Sequence, residues 1–243
     1  MQKISEVLVY ALIPFVSILA GGIVGLIRKP SGAFRSAVLH FAGGVVFSVV
    51  AVELLPDIIK KHKPIEVGIG FSLGIIAMLA IKYFAEKVES KSEVNKVSNA
   101  LPMGLLIVLG IDLVIDGLLL GVGFAAGNTE GILLSVALAL ETFALGLAVL
   151  VALSTSNISA KKTILILTIL GCCFLIGSLL GITFLSSLSQ EWLELVLSFG
   201  LAALLFLVIE ELLTEAHEEK ETLLQTSMFF IGFLIFLLIG MIA

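Results

Sequence analysis

The stretch GIDLVIDGLLLG, residues 110–121, places Asp112 and Asp116 four positions apart in the middle of a long apolar run. In an α-helix, positions i and i+4 lie on the same face. An apolar run of about 20 residues can cross a bilayer as a helix, and a charged side chain near its centre costs roughly 2.5 to 3.5 kcal/mol by insertion scales. Two carboxyl groups on one face therefore need a partner, and a cation is the simplest one.

The composition of the whole chain indicates an integral membrane protein. Of its 243 residues, 59% are hydrophobic and 14% are charged, and the mean hydropathy is +1.20. A water-soluble domain has too little interior to hide this share of apolar side chains. The two cysteines, Cys172 and Cys173, are adjacent in an apolar run, so they predict neither a disulfide framework nor a CxxC metal site.

The apolar runs predict an all-α polytopic fold that forms a single transmembrane unit over residues 1–243. A helix satisfies its own backbone in hydrocarbon, and eight runs have the length of a spanning helix. The first run lacks a cleavage site and is read as a retained span, and the polar stretch at about 87–99 is expected to be a cytoplasmic loop. We place the spans at residues 6–27, 34–58, 65–86, 101–126, 130–154, 162–186, 192–215 and 223–242.

The basic residues of the loops predict that both termini lie outside, and the membrane is expected to be the prokaryotic inner (plasma) membrane. With this orientation the inner segments hold ten of the 14 basic residues, as the positive-inside rule requires. The outer face keeps Lys3 and the cluster of Lys60, Lys61 and Lys63, which is an exception to the rule. The inner ten are Arg28, Lys29, Arg35, Lys82, Lys87, Lys91, Lys96, Lys161, Lys162 and Lys220.

Two internal similarities indicate a repeated architecture. FSVVAVELLPD (47–57) aligns without a gap to LFLVIEELLTE (205–215), which places Glu53 on Glu211. The second and seventh helices cross in opposite directions, so this match predicts an inverted repeat of helices 1–3 and 6–8 around a central pair of helices 4 and 5. Within that pair, Asp112 and Glu141 are each followed five positions later by a glycine, Gly117 and Gly146.

Transporters commonly bind their substrate near the midplane between such repeats, which makes the central acids candidate ligands. Asp112, Asp116 and Glu141 together would form an oxygen-rich site for a divalent ion. Two alternatives stay open. The two aspartates could be protonated or hydrogen-bonded to Ser and Thr of neighbouring helices. Glu141, taken alone, could carry a proton or have a structural role.

Further acids lie toward the ends of helices 2 and 7, where interfacial solvation is an equally good explanation. As functional residues they would form the mouths of a pathway, with Glu53 and Asp57 outside and Glu210, Glu211 and Glu215 inside. His40 is interpreted as a hydrogen-bonded packing residue, and His62 and His217 as solvated surface side chains. The candidate metal residues are therefore Asp112, Asp116, Glu141, Glu211, Glu210, Glu53 and Asp57.

These stretches resemble the ZIP (Zrt/Irt-like) family of divalent metal transporters, whose members have eight helices with both termini outside and a metal site between helices 4 and 5. The family carries motifs like H-N-x-P-[ED]-G on helix 4 and [HQ]-[NDE]-x-P-[EH]-G on helix 5. The matching stretches here are DLVIDG (112–117) and ETFALG (141–146). AGGVVFSVVAVELLPD and EELLTEAH, on helices 2 and 7, are similar to the family's [HE]-L-L-P-[ED] and E-E-L-x-x-E-[AG] segments.

The departures from the family pattern alter the expected site. Asp112 and Glu141 occupy the first ligand positions of the two motifs. Asp116 retains the acid of the helix-4 motif, whereas Leu145 replaces the acid of the helix-5 motif. Leu113 and Thr142 occupy the positions that help form a second metal site in some members, and helix 6 has no acid. The resemblance therefore implies one all-oxygen site instead of two metal sites. The prolines of both motifs are also absent, since Ile115 and Ala144 occupy their positions.

The leading hypothesis is a carrier that moves Zn, Mn or Fe(II) into the cytoplasm; it has no resident cofactor, and the metal ion is the substrate. Zinc favours imidazole and thiolate but accepts carboxylates, whereas an oxygen-only set of ligands suits Mn, Mg, Ca or Fe(II) better. The alternatives are a proton-coupled carrier of a non-metal solute and a transport-inactive metal-binding membrane protein. The sequence shows no catalytic constellation and no nucleic-acid-binding surface. Membrane lipid is the expected environment, and a homodimer is one assembly that the sequence leaves open.

Overall fold

Eight long helices make up nearly all of the described chain, which in this computed structural model comprises residues 2–27, 30–94, 103–154, 158–185, 188–218 and 222–242. Each helix contains an apolar window long enough to cross a membrane, so the predicted all-α polytopic fold is confirmed. The helices are α1 (Gln2–Ile27), α2 (Gly32–Lys60), α3 (Pro64–Val94), α4 (Met103–Ala126), α5 (Asn128–Ser154), α6 (Ala160–Leu185), α7 (190–216) and α8 (Leu223–Gly240).

Local sequence signals explain where several helices begin. Ser31 caps α2, since its side chain accepts a hydrogen bond from the backbone N–H of Phe34 at 3.2 Å. Thr222 and Gln225 form a capping box at the start of α8. His62 adopts a positive φ of 52° in the short turn between α2 and α3, and Pro64 begins α3.

The polar stretch expected to be a loop at 87–99 is helical over its first half. Helix α3 continues to Val94, beyond its membrane-spanning window of Pro64–Phe84. The reason is local, because residues 82–94 contain no Gly or Pro and many charged residues with good helix propensity. Residues 95–99 lie outside the described residues.

Both α2 and α7 contain one turn of π-helix at the same place in the repeat. The π-helical segments are Val50–Leu54 in α2 and Leu207–Leu212 in α7. They coincide in the alignment of the two helices, and they contain Glu53 and Glu211. Single π-helical turns are rare and frequently mark functional sites, so their recurrence supports a true structural repeat.

The two helices run antiparallel, as ion pairs at both ends demonstrate. Arg35, at the start of α2, pairs with two acids at the end of α7. Glu215, in the last turn of α7, is 3.7 Å away, and Glu218, just beyond the helix, is 3.1 Å away. Lys61, at the end of α2, pairs at 2.9 Å with Glu194 near the start of α7. The orientation is the one that an inverted repeat requires.

Helix packing follows the same symmetry. Helix α1 packs on α5, and its counterpart in the repeat, α6, packs on α4. In the same way, α2 packs on α8, and its counterpart α7 packs on α3. Among the eight spans, α5 and α2 are the most buried and α3 and α8 the least. The expected central position therefore belongs to α5 more than to α4, whose Ile107 and Ile111 are exposed on the outer surface.

Candidate metal centre

Three carboxyl groups meet in the interior of the bundle. Asp112 and Asp116 of α4 and Glu141 of α5 each offer an oxygen atom, and these oxygens all lie within 4.8 Å of one another. Asp116 is 1% exposed and Glu141 is 4% exposed, whereas Asp112 is partly buried. The convergence is what the i, i+4 spacing and the two antiparallel helices predicted.

Close backbone contacts hold α4 and α5 in position, and each depends on the glycine that follows the acid. A Cβ on Gly117 would collide with the Phe174 carbonyl of α6, and a Cβ on Gly146 would collide with the Ile18 carbonyl of α1. Small residues permit such approach between membrane helices. The glycines shared by the two motifs thus have a packing role that the structure repeats on both sides of the site.

The buried oxygens of the cluster lack hydrogen-bond donors in the described part of the chain. Both oxygens of Asp116 and Oε2 of Glu141 are buried without a hydrogen-bond partner. Buried polar groups are normally hydrogen-bonded, and buried charges are paired or coordinate a metal. Hydrogen bonding of Asp116 to Ser or Thr of neighbouring helices, one of the alternatives from the sequence, is not found among these residues.

Glu211 extends the cluster from a third helix. Its side chain makes a hydrogen bond with that of Asp112 and interacts electrostatically with Glu141. Two carboxyl groups can share a hydrogen bond only through a proton. A divalent cation entering the cluster would take the place of that proton, so Glu211 is positioned to respond to the ion.

The other acids predicted for the site lie elsewhere. Glu210 is exposed and pairs with Lys82 of α3. Asp57 pairs with Lys60 at 3.3 Å, and Glu53 interacts electrostatically with Glu130 and with Asp57. These residues are therefore not part of the three-residue cluster, and their proposed place at a pathway mouth stays a prediction.

The positions that correspond to a second metal site serve packing. Leu113 is completely buried in the core. Thr142 donates hydrogen bonds to the carbonyl oxygens of Pro14 in α1, at 3.1 Å, and of Ala139, at 3.2 Å. Both side chains thus have apolar or backbone partners, which agrees with a single ion site.

Comparison with known protein families identifies the chain. The family model described as ZIP zinc transporter matches residues 85–240, more than half of the sequence. The chain belongs to the ZIP family. It is accordingly a metal transporter in general terms, and divalent metal ions are the substrates of such proteins. A comparison with curated proteins gave no match.

The ZIP match includes α4 and α5, and hence Asp112, Asp116 and Glu141, together with α7 and its Glu211. Family membership also supports the expectation that the chain is not an enzyme. An integral membrane location follows from the family and the eight apolar helices together.

Sequence reasoning missed Glu194 as a structural acid. This residue is 1% exposed, one of its oxygens pairs with Lys61 and the other, Oε2, is without a partner among the described residues. The only signal was an acid two residues into an apolar span, and the sequence offered no way to choose its partner. The pair also gives a partner within the bundle to Lys61, one of the lysines that depart from the predicted orientation.

Proposed function

We propose that this ZIP protein carries Zn(II), Mn(II) or Fe(II) into the cytoplasm through the site formed by Asp112, Asp116 and Glu141. The observation that carries this proposal is the presence of two buried carboxyl groups with unpartnered oxygens beside a third within 4.8 Å. Three carboxylates would be too repulsive to remain charged together without a cation. A divalent ion neutralises most of that charge and supplies the missing partners.

The donor set bears on the choice of ion. Among the described residues, the four nearby donors, including Glu211, are carboxyl groups, which suit Mn(II) and Fe(II) and are accepted by Zn(II). A selective site for Mg(II) is less suited, since Mg(II) loses its water reluctantly and is seldom held by an all-protein cage. The excess of basic residues on the predicted inner side supports the orientation, and Glu53 and Asp57 would then attract cations at the outer mouth.

Uptake into proteoliposomes tests the proposal directly. We expect the double variant Asp112→Asn with Asp116→Asn to lose metal uptake, while Glu66→Gln, at the start of α3, retains it. Far-UV circular dichroism and elution volume establish that each variant is folded. Unchanged uptake by the double variant would exclude these two residues as ligands.

A thermal-shift panel with Zn(II), Mn(II), Fe(II), Co(II), Cd(II), Mg(II) and Ca(II) identifies the ion. A ligand at 100 times its Kd stabilises the folded state by about 2.7 kcal/mol. We expect the shift from Mn(II) to disappear, and the shift from Zn(II) to decrease, in Asp116→Asn with Glu141→Gln. A non-metal solute that stabilises the wild type, with no response to any metal ion, would favour a different substrate.

A further inference from the structure

A second group of polar side chains lies away from the carboxylate cluster, where α2 begins and α7 ends. Ser36 of α2 donates a hydrogen bond to the Ala216 carbonyl of α7 at 2.8 Å, which ties the two helices together. One turn further into α2 is His40, and immediately after Ala216 is His217. The rings of these two histidines are in contact, with centroids 5.2 Å apart.

The hydrogen bonds of His40 define which ring nitrogen can bind a ligand. Nδ1 lies 2.8 Å from the Ser36 carbonyl oxygen. A carbonyl oxygen only accepts hydrogen bonds, so Nδ1 carries the proton and the lone pair of the neutral ring is on Nε2. A histidine that binds a metal ion almost always donates its other N–H in this way, which fixes the tautomer and the ring orientation.

The Nε2 atom of His40 has no hydrogen-bond partner within the described residues, although the side chain is only 2% exposed. A buried acceptor without a donor is uncommon and requires an explanation. A metal ion would give the lone pair its missing partner.

The separation of the two rings fits one shared zinc ion. Adding a Zn–N bond of about 2.0–2.1 Å to the distance from a nitrogen to its ring centre puts each centroid about 3.2 Å from the ion. At the tetrahedral angle, two such rings have centroids about 5.2 Å apart. His40 and His217 already have this separation, with an angle of 81° between the ring planes.

The ion pairs described at this end of the bundle favour a cation over an anion. Among the described residues, Arg35 is a basic side chain in this region, and its guanidinium is paired with two carboxylates, Glu215 and Glu218. Two negative charges against one positive charge leave these three residues with a net negative charge. His217 is exposed, so the remaining coordination positions are accessible to water or to one of these carboxylates.

We propose that His40 and His217 form a second metal-binding site, through imidazole nitrogens, for a zinc-type divalent ion. This site differs from the central cluster in its donors, since imidazole selects Zn(II) and related ions over Mn(II) and Ca(II). It does not rest on the carboxylate site, because no residue is shared between them. Its ligands join α2 to α7, so bound metal would link the two helices that carry the π-helical turns.

Zinc X-ray absorption spectroscopy of the full-length chain tests this site, with a purification tag that contains no histidine. The protein is Asp116→Asn with Glu141→Gln, in which the central cluster is disabled, loaded with one equivalent of Zn(II) in detergent. We expect outer-shell scattering typical of coordinated imidazole. Adding His217→Ala should remove this scattering, whereas adding His62→Asn, at the third and exposed histidine, should leave it unchanged.

The variants are chosen so that the fold is preserved. His217 is exposed, and Asn tolerates the positive φ of residue 62. Absence of imidazole scattering before His217→Ala is added, or its persistence afterwards, would overturn the proposal. Failure of the central site alone would instead appear as normal metal uptake by Asp112→Asn with Asp116→Asn, so the two proposals fail separately.

Discussion

Glu53 of α2 and Glu211 of α7 lie in equivalent π-helical turns of two antiparallel helices, yet only Glu211 reaches the carboxylate cluster. Glu211 is hydrogen-bonded to Asp112, whereas Glu53 interacts with Glu130 and Asp57. In an inverted repeat, exchanging the conformations of the two halves produces the state that opens to the other side. Asp112 and Glu141 begin the two matching motifs of α4 and α5, so they are equivalent positions of the repeat. After the exchange, Glu53 would therefore approach Glu141 as Glu211 now approaches Asp112.

This asymmetry predicts different phenotypes for the two glutamates. Glu211→Gln should weaken equilibrium metal binding and also slow transport, since Glu211 contacts the cluster in the conformation described. Glu53→Gln should slow transport with little change in the Kd of that conformation. Isothermal titration together with proteoliposome uptake separates the two effects, with Glu66→Gln as control. Equal losses of affinity in both variants would contradict the difference between the two sites.

The all-oxygen donor set predicts that one nitrogen ligand would change ion preference. Asp112→His places imidazole at the first ligand position of the α4 motif and removes one negative charge. Imidazole favours zinc over manganese, so the ratio of Zn(II) to Mn(II) affinity should rise on the order of tenfold. Competition titration measures this ratio, and Asp112→Asn controls for loss of charge. An equal ratio in the two variants would show that residue 112 does not contact the ion.

Glycine contacts predict that one methyl group will disturb the site from outside. Gly117→Ala would bring a Cβ against the Phe174 carbonyl of α6, and overpacking of this kind costs about 1–3 kcal/mol. The matched control is Gly68→Ala in α3, where a Cβ meets no atom within 4 Å. Thermal unfolding in detergent should show a lower midpoint for Gly117→Ala only. Similar midpoints would mean that α4 and α6 are less closely packed than described.

Two lysines at the end of α2 predict contrasting stability effects. Lys61→Met leaves Glu194 buried and unpaired, and breaking a buried ion pair from one side typically costs about 3–5 kcal/mol. Lys60→Met removes an exposed pair with Asp57, worth about 0–1 kcal/mol. The difference should appear in the thermal midpoints of the two variants. Adding Glu194→Gln to Lys61→Met should recover stability, and no recovery would argue against a direct pair.

The helices and their number could be predicted from sequence because spanning a bilayer is a local requirement on length and polarity. Each of the eight apolar runs meets that requirement without knowledge of its neighbours. The convergence of Asp112, Asp116 and Glu141 was also predictable, since helical spacing orients the first two and a short α4–α5 connection makes the helices antiparallel.

Only the tertiary structure decided which of the remaining acids joins the site. Glu210 and Glu211 are neighbours in an apolar helix, but the π-helical turn and the packing of α7 turn one toward Asp112 and the other toward Lys82. The pairing of Glu194 with Lys61 and the contact of His40 with His217 likewise join residues on different helices. Such partners depend on helix rotation and register, which hydropathy does not encode, because lipid-facing and protein-facing positions are both apolar.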